Sequence, residues 1–302
     1  MINEQFTQSL KQLKTAIKSG KKVYGIFGSP ILHSLSPLMH NEAFAIKKLN
    51  AHYIPFEIGK SNLKAALQIV QGEGISGSNI TLPLKQAVIE YLDDITPDAR
   101  RIGAVNTVTF KDDKIKGYNT DIDGFIAPLK KYIEPIQYEN VTVFGGGGAA
   151  RTVLYALLSN YRFPHLTVIT RNPARGNALL DEAETWRKHQ TVLEWAGFDD
   201  VSRYSEVIWD SRLIINCTPL GMQGYGEEFP GKFVRFFRPG QVAYDLIYTP
   251  IKTLFISEAE KRGALTISGL DMLIVQGAKT FKLWTGKVMP VENIREILIE
   301  KL

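Results

Sequence analysis

Directly behind the apolar run Val141-Thr142-Val143-Phe144 stands Gly145-Gly146-Gly147-Gly148-Ala149-Ala150-Arg151, glycines set where a strand would turn into a helix. Backbone N–H groups at such a turn can approach a pyrophosphate at the positive end of the helix dipole. The chemistry expected is therefore dinucleotide binding through Gly145, Gly146, Gly147, Gly148 and Ala149. A glycine-rich stretch alone also serves as an ordinary turn, so context decides. Residues 149–158 carry helix formers with apolar side chains at Val153, Leu154, Leu157 and Leu158, and a second apolar run, Leu166-Thr167-Val168-Ile169, follows at the spacing of a βαβ unit. At the end of that second strand a site for the unphosphorylated cofactor would carry Asp or Glu to bind the ribose hydroxyls. This chain has Thr170-Arg171-Asn172-Pro173-Ala174-Arg175 instead. Two guanidiniums without an intervening carboxylate suit a ribose 2′-phosphate, so the expected cofactor is NADP(H) rather than NAD. The competing reading leaves Arg171 and Arg175 as solvated charges at a helix start.

The elements that must position this loop fill two domains. The chain has 302 residues, 44% of them apolar, enough for two cores. From Lys22 a βα alternation runs through strands at 23–27, 51–56 and 77–80 with helices near 37–49 and 61–71. A hairpin around Asp112-Asp113 joins 105–110 to 114–117. Asp121 opens a helix to about Tyr132, ended by Pro135. Beyond the glycine loop the second unit continues through strands at 213–216, 242–246 and 264–268, a helix near 254–262 and closing helices at 270–284 and 291–302. Those last helices have more apolar surface than a completed sheet needs, so they are expected to return to the first domain. The expected organisation is α/β throughout: residues 1–122 as a substrate and catalytic domain, with 270–302 packed back on it, and 123–269 as a Rossmann-type NADP-binding domain.

Composition narrows the function further. The 36 Lys plus Arg against 31 Asp plus Glu leave a net charge of +5, scattered rather than striped, which suits a phosphorylated cofactor and an anionic small substrate and argues against nucleic acid. A lone cysteine, Cys217, rules out an internal disulfide and points to a reducing, cytoplasmic setting; the five histidines form no metal-ligand pattern, so no metal is expected. No apolar stretch approaches bilayer length and the first 20 residues, with Phe6, Leu10, Leu13 and Ile17, form a helical stripe rather than a signal peptide. That helix packs either on the body or on a partner subunit, which leaves monomer or homodimer open.

Nine blocks in order resemble the shikimate dehydrogenase family, from Tyr24 to Gly286: 28–30 with 33–37, 79–85, 103–107, 117–121, the glycine loop, 216–222, 245–250 and 269–277. The resemblance implies NADP-dependent reduction of 3-dehydroshikimate to shikimate, in aromatic amino-acid biosynthesis. Hydride transfer to a ketone leaves an alkoxide in need of a proton, and a lysine with a carboxylate beside it is a suitable acid and base. Lys85 and Asp121 match the family's catalytic pair. The resemblance makes Ser34 and Ser36, assisted by Tyr248, the partners of the substrate carboxylate, and Asn79, Thr81, Asn106 and Gln276 the readers of its ring hydroxyls. It sets Thr218, Met222 and Gly269 beside the nicotinamide. Taken singly, Ser34 and Ser36 also suit a helix cap, Asn106 a turn, and Lys85 a solvated surface charge. Cys217 is not expected to act as a nucleophile, because hydride transfer needs none; His33 borders the expected site.

The chain departs from the family pattern in carrying Leu35 where many relatives have Lys, Ser29 in a frequent Gly-Asn-Pro, and a longer N-terminus. The aromatic, charged segment 186–204 has no assignment. Two other functions are compatible with parts of the pattern. A quinate/shikimate dehydrogenase using NAD(P) differs by room for one hydroxyl, and a non-catalytic ligand sensor would dispense with Lys85 or Asp121.

Overall fold

In a computed structural model of the chain, residues 4–31 and 34–302 are described; His33 lies outside them. The chain divides into two compact units, Met1–Thr120 with Ile274–Leu302, and Asp121–Leu273.

The first unit is built on a mixed six-stranded sheet. Its strands are β1 (Lys22–Gly28), β2 (Ala51–Glu57), β3 (Gly77–Ile80), β4 (Asp94–Ile95), β5 (Thr107–Lys111) and β6 (Lys114–Tyr118), in the order β2-β1-β3-β5-β6-β4. β2 and β3 run parallel to β1, which requires crossovers, and the helices Ser36–Ile46 and Leu63–Gly72 supply them. β5 turns back through Asp112 and Asp113, both at positive φ (51° and 57°), as a tight hairpin between right-twisted strands demands. The N-terminal helix Glu4–Lys18 packs on its own sheet: Phe6 and Leu13 are fully buried, the Phe6 ring lies 5.7 Å from that of Phe56, and the Ser9 hydroxyl donates to the Pro55 carbonyl at 2.6 Å.

Glycines admit the returning C-terminal helices. A Cβ at Gly77 on β3 would collide with the Trp284 indole, whose Nε1 donates to the Val108 carbonyl at 3.1 Å. A Cβ at Gly277 would collide with Met39 on the helix Ser36–Ile46. The helix Gly269–Thr285 thus closes over β3 and β5, and Val291–Lys301 packs beside Ser36–Ile46.

The second unit holds β7 (Asn140–Phe144), β8 (His165–Thr170), β9 (Val192–Gly197), β10 (Ser211–Asn216), β11 (Val242–Asp245) and β12 (Leu265–Ile267), all parallel, in the order β12-β11-β10-β7-β8-β9. This is the doubly wound Rossmann-type arrangement, and its order reverses between β7 and β10, the switch point outside whose carboxyl ends such sheets take ligands. One side of the sheet is filled by a phenylalanine cluster: Phe144 meets Phe229 edge to face at 5.0 Å, and Phe229 meets Phe255 likewise at 5.0 Å.

Two segments differ from the expectation. The helix opened by Asp121 stops at Leu129, one residue after Pro128, which lies inside it. Pro135, expected to end that helix, instead sits in the first turn of a short separate helix, Ile133–Ile136, where a missing N–H leaves no bond unmade. The unassigned segment 186–204 supplies β9 and the start of the helix Val201–Asp210, whose N-cap Asp200 accepts from the Arg203 N–H. Among the described residues no helix is long and apolar enough to cross a membrane.

Candidate active site

The carboxyl edge of the second unit gathers most of the expected cofactor residues. Gly145 leaves β7 at φ +114°, a conformation that favours glycine, and a Cβ there would stand 3.2 Å from the Cys217 backbone and 3.3 Å from the Thr218 methyl. The loop and Thr218 therefore touch across the switch point, tied further by the Cys217 N–H donating to Phe144 O at 2.9 Å. Gly147 is the N-cap of the helix Gly148–Asn160, with no side-chain cap, and a Cβ on it would meet nothing within 4 Å. An uncapped 13-residue helix start with open space above its first glycine is what a pyrophosphate needs: free N–H donors, a favourable dipole and room.

The expected adenosine end is equally compact. A Cβ on Gly146 would meet Arg175 Cγ and Thr170 Cγ2, each at 3.3 Å, so the arginine stem lies along the loop. Asn172 caps the helix Pro173–Glu184 by accepting from the Arg175 N–H at 3.0 Å. Arg171 pairs with Glu227 at 3.0 Å, both side chains more than half exposed, and sits 5.9 Å from the Phe198 ring. An exposed pair of this kind contributes little and yields readily to a dianionic phosphate. The residues present thus fit NADP(H).

Behind the nicotinamide-side residues lies a carboxylate that sequence reasoning did not single out. Asp245, fully buried at the end of β11, accepts from Asn216 Nδ2 (3.0 Å), the Ile247 N–H (3.0 Å) and the Thr253 hydroxyl (2.6 Å). Asn216 in turn accepts from the Thr218 N–H and hydroxyl, at 3.0 and 2.6 Å. One buried acid therefore ties together the loop bearing Thr218, the loop bearing Tyr248 and the N-cap of the helix Leu254–Lys261. Burial pushes Asp245 up to about 7 against these three hydrogen bonds, and burial with the neighbouring Asp245 pushes the Cys217 thiol well up, away from nucleophile chemistry. Gly269 is needed for contact, since a Cβ would collide with the Leu246 carbonyl; its N–H donates to Ile247 O at 3.2 Å. Met222 follows in the Thr218 loop, half-buried, its N–H on Pro219 O.

In the first unit the expected hydroxyl readers form one neutral network. Asn79 Oδ1 accepts from the Tyr53 hydroxyl at 2.8 Å, and Asn79 Nδ2 donates to Asn106 O and Thr107 Oγ1 at 3.2 and 3.1 Å. Both donors of Asn79 are engaged, which leaves an Oδ1 lone pair for an incoming group. The Asn106 amide is held at both ends by Thr120, Oδ1 by its N–H at 2.8 Å and Nδ2 by its hydroxyl at 2.9 Å, and Nδ2 also reaches Gln276 Oε1 at 3.5 Å. Thr280 Oγ1 bridges Thr107 (3.0 Å) and Thr120 (3.1 Å). Of these, Tyr53, Thr107, Thr120 and Thr280 went unassigned in the sequence, although Thr107 and Thr120 lie inside the family-like blocks.

Of the remaining expected residues, Ser34 and Ser36 follow the carboxyl end of β1, Thr81 and Lys85 follow that of β3, and Asp121 and Tyr248 belong to the second unit. Thr81 follows β3, its N–H donating to Phe27 O at 2.9 Å, and Gly28 lets the β1 end approach it, since a Cβ there would collide with the Thr81 methyl. Ser34 and Ser36 do not form a side-chain cap: Ser36 is the first residue of its helix, behind the N-cap Leu35, and its N–H donates to Ser34 Oγ at 3.3 Å. Lys85 is half-buried, and its carbonyl accepts from the Val105 N–H at 2.8 Å, which fixes it beside the Asn106 segment. Asp121 is buried at the start of the helix Asp121–Leu129, and Tyr248 is half-buried in the second unit.

Residues 26–108 match the shikimate dehydrogenase substrate binding domain and residues 269–299 the shikimate 5'-dehydrogenase C-terminal domain. Shikimate dehydrogenase (NADP(+)) of Moorella thermoacetica is 40% identical over 286 residues, 95% of each chain. The crystal structure of a shikimate dehydrogenase in complex with NADP+ superposes with a TM-score of 0.83 at 36% identity, covering 94% of this chain and 96% of that one. Shikimate 5-dehydrogenase from Thermus thermophilus, in complex with NADP(H) and shikimate, superposes at 0.78 with 33% identity, over 93% of this chain and all of its own (100%). With this similarity along nearly its whole length, the chain belongs to the shikimate dehydrogenase family.

Proposed function

We propose that this protein is an NADP-dependent shikimate dehydrogenase that interconverts 3-dehydroshikimate and shikimate in aromatic amino-acid biosynthesis, acting in the cytoplasm on a free small molecule, as a monomer or homodimer. The observation that carries this is the pairing of two unlike recognition surfaces in one chain of this family. The second unit offers an uncapped glycine helix start flanked by Arg171 and Arg175. The first offers a buried network of neutral amides and hydroxyls. The charged surface suits a phosphorylated dinucleotide; the neutral one suits a polyol, whose hydroxyls give and accept hydrogen bonds without demanding a counter-charge.

NADPH, when bound, would supply the hydride for the ketone carbon. With Gly145 shaping the turn, its own N–H on Ile169 O, the N–H groups of Gly146 to Ala149 would hold the pyrophosphate, and Arg171 and Arg175, with Thr170, would hold the 2′-phosphate. Thr218 and Met222 would border the nicotinamide, with Gly269 letting its helix start close against the Leu246 and Ile247 backbone beside them. Lys85 gives its Nζ proton to the oxygen of the reduced carbonyl and takes it back in the reverse direction, with Asp121 as its carboxylate partner in the acid–base pair. Ser34, Ser36 and Tyr248 hold the carboxylate of the substrate, and Asn79, Thr81, Asn106 and Gln276 its hydroxyls. The Asp245 cluster serves as a support for the loops that carry Thr218 and Tyr248. The direct test is NADPH oxidation by the purified protein on 3-dehydroshikimate, followed by the loss of reduced-nicotinamide absorbance. Oxidation at an ordinary enzymatic rate is expected, and ligand binding without turnover would replace the enzyme with a sensor.

A further inference from the structure

The segment that the function leaves without a task contains Trp195, on the outermost strand β9. Its indole lies in a slot between two glycines. A Cβ at Gly176 would collide with its Cδ1 and Nε1 edge, and one at Gly197 would stand 3.2 Å from Cη2 at the far edge. From that slot Nε1 donates to Thr170 Oγ1 at 2.9 Å, and the same hydroxyl donates to Asn172 O at 2.9 Å. The threonine is thereby fixed in one rotamer at both hydrogen-bonding capacities that matter, its methyl 3.3 Å from the Cβ position of Gly146, where the Arg175 stem also lies. Arg171 leaves the chain between Thr170 and Asn172, and Arg175 begins from the N–H that Asn172 caps. The indole therefore braces the whole turn from which both guanidiniums project.

We infer that Trp195 is a positioning residue for cofactor selectivity, which through Thr170 holds Arg171 and Arg175 where a ribose 2′-phosphate can be gripped. This rests on the assignment of those two arginines to the 2′-phosphate. A brace on that turn has a specific signature, because a cofactor lacking the phosphate asks nothing of the arginines. The role explains why an aromatic on an edge strand has its N–H committed inward and glycines at both ends.

The test uses the full-length enzyme and three variants, reading kcat/KM for NADP+ and for NAD+ with shikimate, and the Kd of adenosine 2′,5′-bisphosphate. Trp195→Phe keeps an aromatic ring and removes the donor. It is expected to raise the KM for NADP+ and the Kd of the bisphosphate about five-fold, the scale of one lost hydrogen bond, with kcat and the NAD+ parameters within about two-fold of the parent. Gly176→Ala, which displaces the same indole from the other side, is expected to give the same pattern. Arg175→Gln, the control for the arginines themselves, is expected to lose about 20-fold with NADP+ alone. Equal losses with both cofactors in Trp195→Phe, or none with NADP+ while Arg175→Gln shows its full effect, overturns the bracing role and leaves the arginine assignment standing. An unchanged selectivity in Arg175→Gln overturns that assignment, and the bracing role falls with it.

Discussion

The two units solve the problem of placing polar groups in opposite ways. In the first unit the amides Asn79 and Asn106 are neutral side chains buried to within a few per cent and held by other side chains: Asn79 by Tyr53 and Thr107, Asn106 by Thr120, and both threonines by Thr280. In the second the candidate contacts are backbone N–H groups and exposed guanidiniums on a loop and a helix start, shaped by Gly145 and Gly146 and backed by one buried carboxylate. A neutral network tolerates burial because every donor finds an acceptor, whereas a charged grip must stay near water until its ligand arrives. The consequence is that a cation has a different meaning in each unit. Under the proposed function, the first unit's Lys85 serves the chemistry and the second unit's Arg171 and Arg175 serve binding.

The largest effect should come from testing that division directly. Lys85→Ala is expected to lower kcat about 10³-fold while the KM for shikimate changes by no more than about three-fold, since the hydroxyl readers remain. Arg175→Gln is the mirror case, a rise in KM for NADP+ with kcat nearly constant. If steady-state kinetics instead found Lys85→Ala impaired in shikimate binding and normal in kcat, the contrast between the units would be lost.

A second contrast lies in two buried titratable groups. His40 in the first unit is fully enclosed, stacked on Tyr53 at 4.7 Å, and neither ring nitrogen has a hydrogen-bond partner among the described residues; burial pushes it down to about 3. The folded chain thus keeps it neutral where the unfolded chain, near 6.5, takes a proton, so its contribution to stability is complete above about 6.5 and is lost progressively as pH falls toward 3. Asp245 in the second unit runs the other way. Raised to about 7 from 3.8, it contributes fully below about 4 and the contribution is lost as pH rises through 7. Between pH 4 and 6.5 the two slopes oppose each other. Urea unfolding should show His40→Leu gaining on the parent as pH falls toward about 4, by up to a few kcal/mol, and Asp245→Asn gaining on the parent as pH rises from about 4 to about 7.5. Identical pH slopes in parent and variants would remove both groups from the account.

Much of this was legible from residue types alone, and the remainder was hidden for physical reasons. The glycine loop could be read because its constraint is local: a strand must become a helix within a few residues and leave its N–H groups bare. The returning helices could be read from surplus apolar surface, and Gly77 and Gly277 show what that surface meets. β9 escaped because an edge strand with Val192 half exposed carries no clean alternation. Tyr53, Thr280 and Asp245 escaped because their work is done on other side chains 26 to 173 residues away or across neighbouring strands, and no spacing in sequence encodes such a partner. Pro135 misled because a proline ends one helix and begins another equally well.

The smallest expected effect probes the neutral network at a member that is not itself a candidate substrate contact. Thr280→Val keeps the shape of the side chain and removes the hydroxyl that bridges Thr107 and Thr120, leaving two buried hydroxyls each short of a partner. Stability should fall by about 1–2 kcal/mol. The loss should also reach recognition, because Thr120 holds the Asn106 amide at both its oxygen and its nitrogen. A rise of about two- to three-fold in KM for shikimate is expected, with kcat and the KM for NADP+ unchanged. The network works as a unit only if its support matters to the side it supports. A fall in stability with no change in KM for shikimate would make Thr280 packing alone, and an equal change in KM for NADP+ would mean that the neutral and charged grips are not separate devices.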